Sequence, residues 1–269
     1  MKANRLRWFL LFLLGSAVFQ LPAQQSEADR KLLADIRSKA KKGDAQSQYE
    51  LGRACATGSL GVAKDETDAV KWYRKAAEQG HVNAQFALGF CYGYGVGVAK
   101  DAVGAVRWYR KAAEQGFGPA QCNLGFCYGN GVGVAKAVVE AVKWYRKAAE
   151  QGYAAAQYNL GTCYEQGKGV AKDAAEAVKW YHKAAEQGVA DAQLSLGTCY
   201  ADGNGVTKDY VQAYKWLSLA AAQGNKNANE AESVLTQRMT PEQIAEGVRL
   251  VLDFKPSIVG WSGASAPSH

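Results

Sequence analysis

The chain has 269 residues, of which 48% are apolar and 21% charged, with a formal net charge of +7. That apolar content is enough to build a core and too high for a disordered chain. The mild positive balance does not argue for nucleic acid as a partner.

Lys2, Arg5 and Arg7 open the chain, and Trp8 to Phe19 is then apolar apart from Gly15 and Ser16. This run is shorter than the about 20 residues a bilayer span requires. The pattern predicts a signal peptide over residues 1–23, cut after Ala23 or, alternatively, after Ala17. An uncleaved membrane anchor is the rival reading. No Cys follows the run, so no lipid attachment is expected. Cleavage removes Lys2, Arg5 and Arg7, lowers the net charge to +4, and leaves a periplasmic or secreted protein with no stable membrane span.

Residues 24–43 predict a capping helix that ends in Lys39-Ala40-Lys41-Lys42-Gly43. Beyond it the sequence repeats itself, and a repeat of this length marks a stacked architecture. KWYRKAAEQG at 71–80 returns nearly unchanged at 107–116, 143–152 and 179–188, and drifts to KWLSLAAAQG at 215–224. Gly80, Gly116, Gly152, Gly188 and Gly224 are 36 residues apart, and residues 44–224 hold five such units. The first has one extra residue near Ser59-Leu60.

Each unit predicts two helices. In the first, Ala84, Leu88, Cys91 and Tyr92 share one face. In the second, over about 101–115, Ala105, Trp108, Tyr109, Ala112 and Ala113 share another, and Gly116 supplies a left-handed stop. Between them Gly93 to Val98 is a glycine-rich turn. Asp101, Asp173 and Asp209 are set as N-caps, with Ala137 in that place in the third unit. Gly89, Gly125, Gly161 and Gly197 let neighbouring helices come close. One unit cannot bury its faces alone, so the fold class is an all-α superhelix of antiparallel helix pairs. Residues 225–254 predict two capping helices, a worn first helix over Asn227 to Gln237 and a last one opened by Thr240-Pro241-Glu242-Gln243. The Pro-, Ser-, Gly- and Ala-rich stretch 255–269 predicts a frayed tail.

The motifs Ala-x-x-x-Leu-Gly-x-x-Tyr, Gly-x-Gly-Val-x-Lys-Asp and Ala-x-x-Trp-Tyr-x-Lys-Ala-Ala-Glu-Gln-Gly resemble the Sel-one-like repeat, a branch of the tetratricopeptide superfamily. The likeness covers residues 44 to about 254. It implies a right-handed superhelix and an adaptor or scaffold role, with bacterial members often exported. Some cysteine-rich relatives are described as binding or slowly hydrolysing β-lactams. The family has no shared catalytic residues to carry over.

The six cysteines are Cys55, Cys91, Cys122, Cys127, Cys163 and Cys199. In an exported chain an even count suggests disulfides. Cys91, Cys127, Cys163 and Cys199 are equivalent positions of successive repeats, however, and equivalent helices lie about 8–10 Å apart. A disulfide needs Cα atoms within about 7 Å. Cys122 and Cys127 share one helix, separated by a rise of about 7.5 Å. The cysteine-rich relatives pair a Cys from each helix of a repeat, and the second helices here have none. All six are therefore expected as buried free thiols, with no metal site. His81, His182 and His269 have no nucleophile beside them, and Ser38-Lys39-Ala40-Lys41 matches S-x-x-K without its companion motifs. The basic stripe of Lys71, Arg74 and Lys75 reads as a solvated face.

What remains is the side of the first helices away from the core. It carries Phe86 and Phe90, with equivalents Tyr49 and Arg53, Cys122 and Phe126, Tyr158 and Thr162, and Leu194 and Thr198. This strip either lines a concave groove for a peptide or protein or is closed off by the superhelical curvature. The expected function is an exported, monomeric interaction scaffold with no cofactor and no catalytic site. A cell-wall ligand binder with weak β-lactam hydrolysis and a structural spacer are the alternatives.

Overall fold

The computed structural model describes residues 26–257, so the predicted leader with its two cleavage sites and the end of the tail lie outside the described residues. Those residues form thirteen α-helices and no strand: α1 (Glu27–Lys41), α2 (Ala45–Thr57), α3 (Glu66–Glu78), α4 (Val82–Tyr94), α5 (Ala102–Glu114), α6 (Gly118–Asn130), α7 (Val138–Glu150), α8 (Ala154–Gln166), α9 (Ala174–Glu186), α10 (Ala190–Asp202), α11 (Tyr210–Ala222), α12 (Lys226–Thr236) and α13 (Pro241–Leu252). Repeats one to five begin at α2, α4, α6, α8 and α10. Each helix packs chiefly on its neighbours in the chain, and α13 turns back onto α11. Contacts of that range make a solenoid.

Local chemistry sets the helix ends. The Asp101 carboxylate accepts from the Gly104 N–H at 2.9 Å and starts α5. At its far end Gly116 takes φ +87°. There the Gly116 and Phe117 N–H groups bond back to the Ala113 and Ala112 carbonyls, a Schellman stop.

Within a repeat, the two helices touch almost backbone to ring. A Cβ on Gly89 would lie 2.7 Å from the Tyr109 ring and 3.3 Å from the Ala105 carbonyl oxygen. Gly52, Gly125 and Gly161 face Tyr73, Tyr145 and Tyr181 in the same way. Leu88, Leu124, Leu160 and Leu196 fill the seam and are fully buried. Between repeats, the Gly97 turn lies against the start of α3, and a Cβ there would overlap the Glu66 carbonyl.

A buried glutamine relay runs along the stack. Gln85 donates to the Ala77 carbonyl at 3.1 Å and accepts from the Gln115 amide at 2.7 Å. Gln48, Gln121, Gln157 and Gln193 do the same with Gln79, Gln151, Gln187 and Gln223. Each link ties the end of one second helix to the end of the next. Its net worth is about 1 kcal/mol, and removing the glutamine would cost more, because a buried carbonyl loses its partner.

The basic stripe is not simply solvated. Arg74, Arg110 and Arg146 donate to the hydroxyls of Tyr92, Tyr128 and Tyr164 in the next repeat, at 2.8, 2.6 and 2.7 Å. The Lys75 ammonium lies 4.4 Å from the Trp72 ring centroid, and the contact recurs down the stack. Trp72 donates to Asp68, whereas the buried indole N–H groups of Trp144 and Trp180 have no acceptor. Their equivalents of Asp68 are Glu140 and Glu176, whose carboxylates reach Lys143 and Lys179 instead.

At the C-terminal end Thr240 and Gln243 form a capping box. The Phe254 ring packs edge-on against Trp216 at 5.6 Å, and Ser257 bonds through its N–H and hydroxyl to the Glu186 carbonyl. Residues 255–257 thus lead the chain back to α9, and the rest of the predicted tail lies outside the described residues.

Ala137 starts α7 with no side-chain cap bond, in a backbone conformation close to that of Asp101. Ala137→Asp is expected to stabilise the protein by about 1 kcal/mol, read as a higher urea midpoint; an unchanged midpoint contradicts the cap assignment.

Candidate functional site

The ten strip residues separate into two rows. The inner row is used in packing. Tyr49 is buried against Tyr73 and His81, with ring centroids 5.9 and 4.7 Å away. Phe86, half-buried, meets Tyr109 at 5.8 Å and Phe117 at 5.3 Å. Tyr158 sits 5.8 Å from Tyr181. Cys122 is buried, with the Asn159 amide 3.7 Å from its sulfur, and Leu194 packs against the α11 core. Tyr49 and Cys122 are therefore buried, which corrects their place in a partner-binding groove and fits the closed-off alternative for this row. The reason is that this row of helix one points at the second helix of its own repeat and at the first helix of the next.

The outer row is partly open, with Arg53, Phe126 and Thr198 exposed and Phe90 and Thr162 half-buried. Phe126 is 53% exposed. The half-buried Phe90 ring lies 4.5 Å from that of Tyr94, which is 65% exposed. Arg53 is exposed beside Tyr49. Thr162 and Thr198 spend their hydroxyl protons on the Tyr158 and Leu194 carbonyls of their own helices. Tyr94 is missed by the sequence reading; its place one turn after Phe90 is the signal that could have found it. The surface is thus aromatic over repeats two and three and polar over repeats four and five.

The titratable groups act as structure. The His81 ring accepts from the Ala84 N–H at 3.2 Å and so caps α4, and burial pushes its pKa below the ordinary range. His182 lies 3.5 Å from Glu186 and edge-on to Trp216; His269 lies outside the described residues. All six cysteines are free thiols, and all but Cys163 are buried. Among the described residues no group of His, Cys, Asp and Glu is placed to hold a metal ion. No described helix is long and apolar enough to cross a membrane.

Burial pushes the Cys91 and Cys199 thiols up to about 11 and Cys122 to about 12. A raised thiol pKa keeps the neutral, unreactive form at pH 8. The native protein is therefore expected to react slowly with a thiol reagent at that pH, and six thiols should titrate once it is denatured. A denatured count below six contradicts the free-thiol assignment.

Comparison with known proteins adds the family. The Sel1 repeat model matches five consecutive segments, residues 45–81, 82–117, 118–153, 154–189 and 190–225. A protective antigen from uropathogenic Escherichia coli strains, displaying an SLR fold, is 39% identical with a TM-score of 0.77; the match covers 82% of this chain and 48% of that one. The chain thus spans about half the length of that relative. A Sel1 repeat protein from Oxalobacter formigenes is 36% identical with a TM-score of 0.72, over 83% of this chain and 94% of the other. An immunity protein from Pseudomonas aeruginosa, 21% identical with a TM-score of 0.50 over 82% of each chain, shares the fold alone. The search of curated proteins finds no match. With its five tandem matches, the chain belongs to the Sel1 repeat family, whose members generally mediate protein–protein interactions.

Proposed function

We propose that this protein is an exported scaffold that holds a peptide or protein partner on the outer row of its first helices. The observation that carries the reading is the aromatic surface of Phe90, Tyr94 and Phe126. The Phe126 side chain stands open on a helix whose other apolar residues are mostly buried. Large aromatic anchors on a rigid helical face suit capture of an apolar segment. Export rests on the basic start and apolar run of residues 1–23.

The test uses full-length protein made with its own leader. It is expected in the envelope fraction, processed after Ala23 or Ala17, and to retain a partner that a Phe90→Ala/Phe126→Ala double variant of equal thermal stability loses. Equal capture by the two proteins would sink the surface assignment, and an unprocessed cytoplasmic product would sink export.

A further inference from the structure

One junction of the solenoid is closed by a titratable ring. From the second repeat on, the residue just before each first helix is His81, Phe117, Tyr153 and Val189, with Asn225 before α12. Phe117, Tyr153 and Val189 make no side-chain cap bond there. His81 does, at the seam of repeats one and two.

Three contacts fix the half-buried ring. Its Nδ1 accepts the Ala84 N–H at 3.2 Å, so the proton of the neutral ring sits on Nε2. Nε2 lies 2.8 Å from Gln46 Oε1 and donates to it. Gln46 is held the right way round for this, because its amide nitrogen donates to the Glu50 carboxylate at 2.8 Å. The face of the ring stacks on Tyr49, with centroids 4.7 Å apart. One tautomer of the neutral imidazole thus ties the start of α4 to α2.

Protonation is incompatible with this arrangement. A proton on Nδ1 turns the acceptor of α4 into a donor facing a donor. It also puts a positive charge at a helix start, where the partial charge is already positive. The Nε2 bond to Gln46 tolerates either state, so the cap is the contact that breaks. Asp44, the N-cap of α2, and Glu50 on α2 both favour the charged ring, and Lys39 on α1 acts in turn on these two carboxylates. Arg53 lies 6.0 Å from the centre of the Tyr49 ring. α4 carries no charged residue, and none on α3 acts on the ring. Burial outweighs the two carboxylates and holds the His81 pKa below its ordinary 6.5.

We propose that the junction of repeats one and two is a pH-operated joint: when His81 takes up a proton, the cap of α4 is released and the seam between α2 and α4 loosens, while the later junctions stay closed. The unfolded chain takes up this proton at about pH 6.5 and the folded chain only at a lower pH. Stability is therefore full above about pH 7 and declines as the pH falls through about 6.5 towards the folded value. The joint depends neither on the aromatic surface nor on export.

Proton NMR of the full chain follows the His81 ring and the Ala84 amide between about pH 7.5 and about pH 5, and urea unfolding is measured over the same range. The two signals are expected to move together with one midpoint below 6.5. The folding equilibrium should weaken by roughly fivefold from the neutral to the acid end. His81→Asn copies Asn225, whose side chain accepts from the Ala228 N–H at 3.1 Å, and so keeps a cap that takes no proton. His81→Phe copies Phe117. Both variants should lose the pH dependence, and His81→Asn should keep a urea midpoint near that of the parent at neutral pH. His182 and His269 remain in both, so the difference reads His81 alone. A ring that titrates at or above 6.5 or not at all, an Ala84 amide that does not follow the ring, or a pH dependence that survives unchanged in both variants overturns the proposal.

Discussion

Everything in this solenoid follows from how closely the two helices of a repeat approach. At Gly89, Gly125 and Gly161 the backbone of helix one lies directly against a tyrosine ring of helix two, with a backbone carbonyl just behind. No side chain fits between them. The glycine would ordinarily cost a helix about 1 kcal/mol relative to alanine, so its presence here reports a packing requirement. The fifth repeat keeps the requirement with a different residue, since Leu217 fills the place of the tyrosine against Gly197.

Close approach makes the other regularities work. It leaves room for alanines such as Ala84 and Ala112, both fully buried. It also brings Gln85 within reach of both the Ala77 carbonyl and the Gln115 amide, so a polar group is buried with both ends of its amide engaged. The relay and the arginine–tyrosine bonds act across repeats, and the glycine–tyrosine contact acts within them. Stability in such a stack is the sum of those two kinds of term.

The architecture was readable because the sequence repeats its spacing: the helix pairs, the Asp101 cap and the Gly116 stop all follow from residue type and period. The glutamine relay was not read, although Gln85 and Gln115 recur with every unit. A single helix shows a polar residue next to an alanine; only the packed stack shows that two glutamines 30 residues apart meet. The two rows of the candidate strip separate for the same reason. A helical wheel sorts Phe86 and Phe90 to one side of α4, but the packed stack shows that Phe86 meets Tyr109 and Phe117 whereas Phe90 meets the exposed Tyr94. Composition likewise carries no trace of the Glu186 carbonyl that receives Ser257.

The proposed function rests on a departure from the repeat, the exposed rings of Tyr94 and Phe126 beside the half-buried Phe90. Those features stand on a scaffold whose geometry is set by the glycine contact, and that contact has a clear signature. In an unconstrained helix Gly→Ala stabilises by about 1 kcal/mol. Gly125→Ala would place a methyl carbon 2.8 Å from the Tyr145 ring and 3.2 Å from the Ala141 carbonyl oxygen, and overpacking of this kind costs about 1–3 kcal/mol. Urea denaturation of Gly125→Ala should therefore show a lower midpoint than the parent protein, and a higher midpoint would contradict the account.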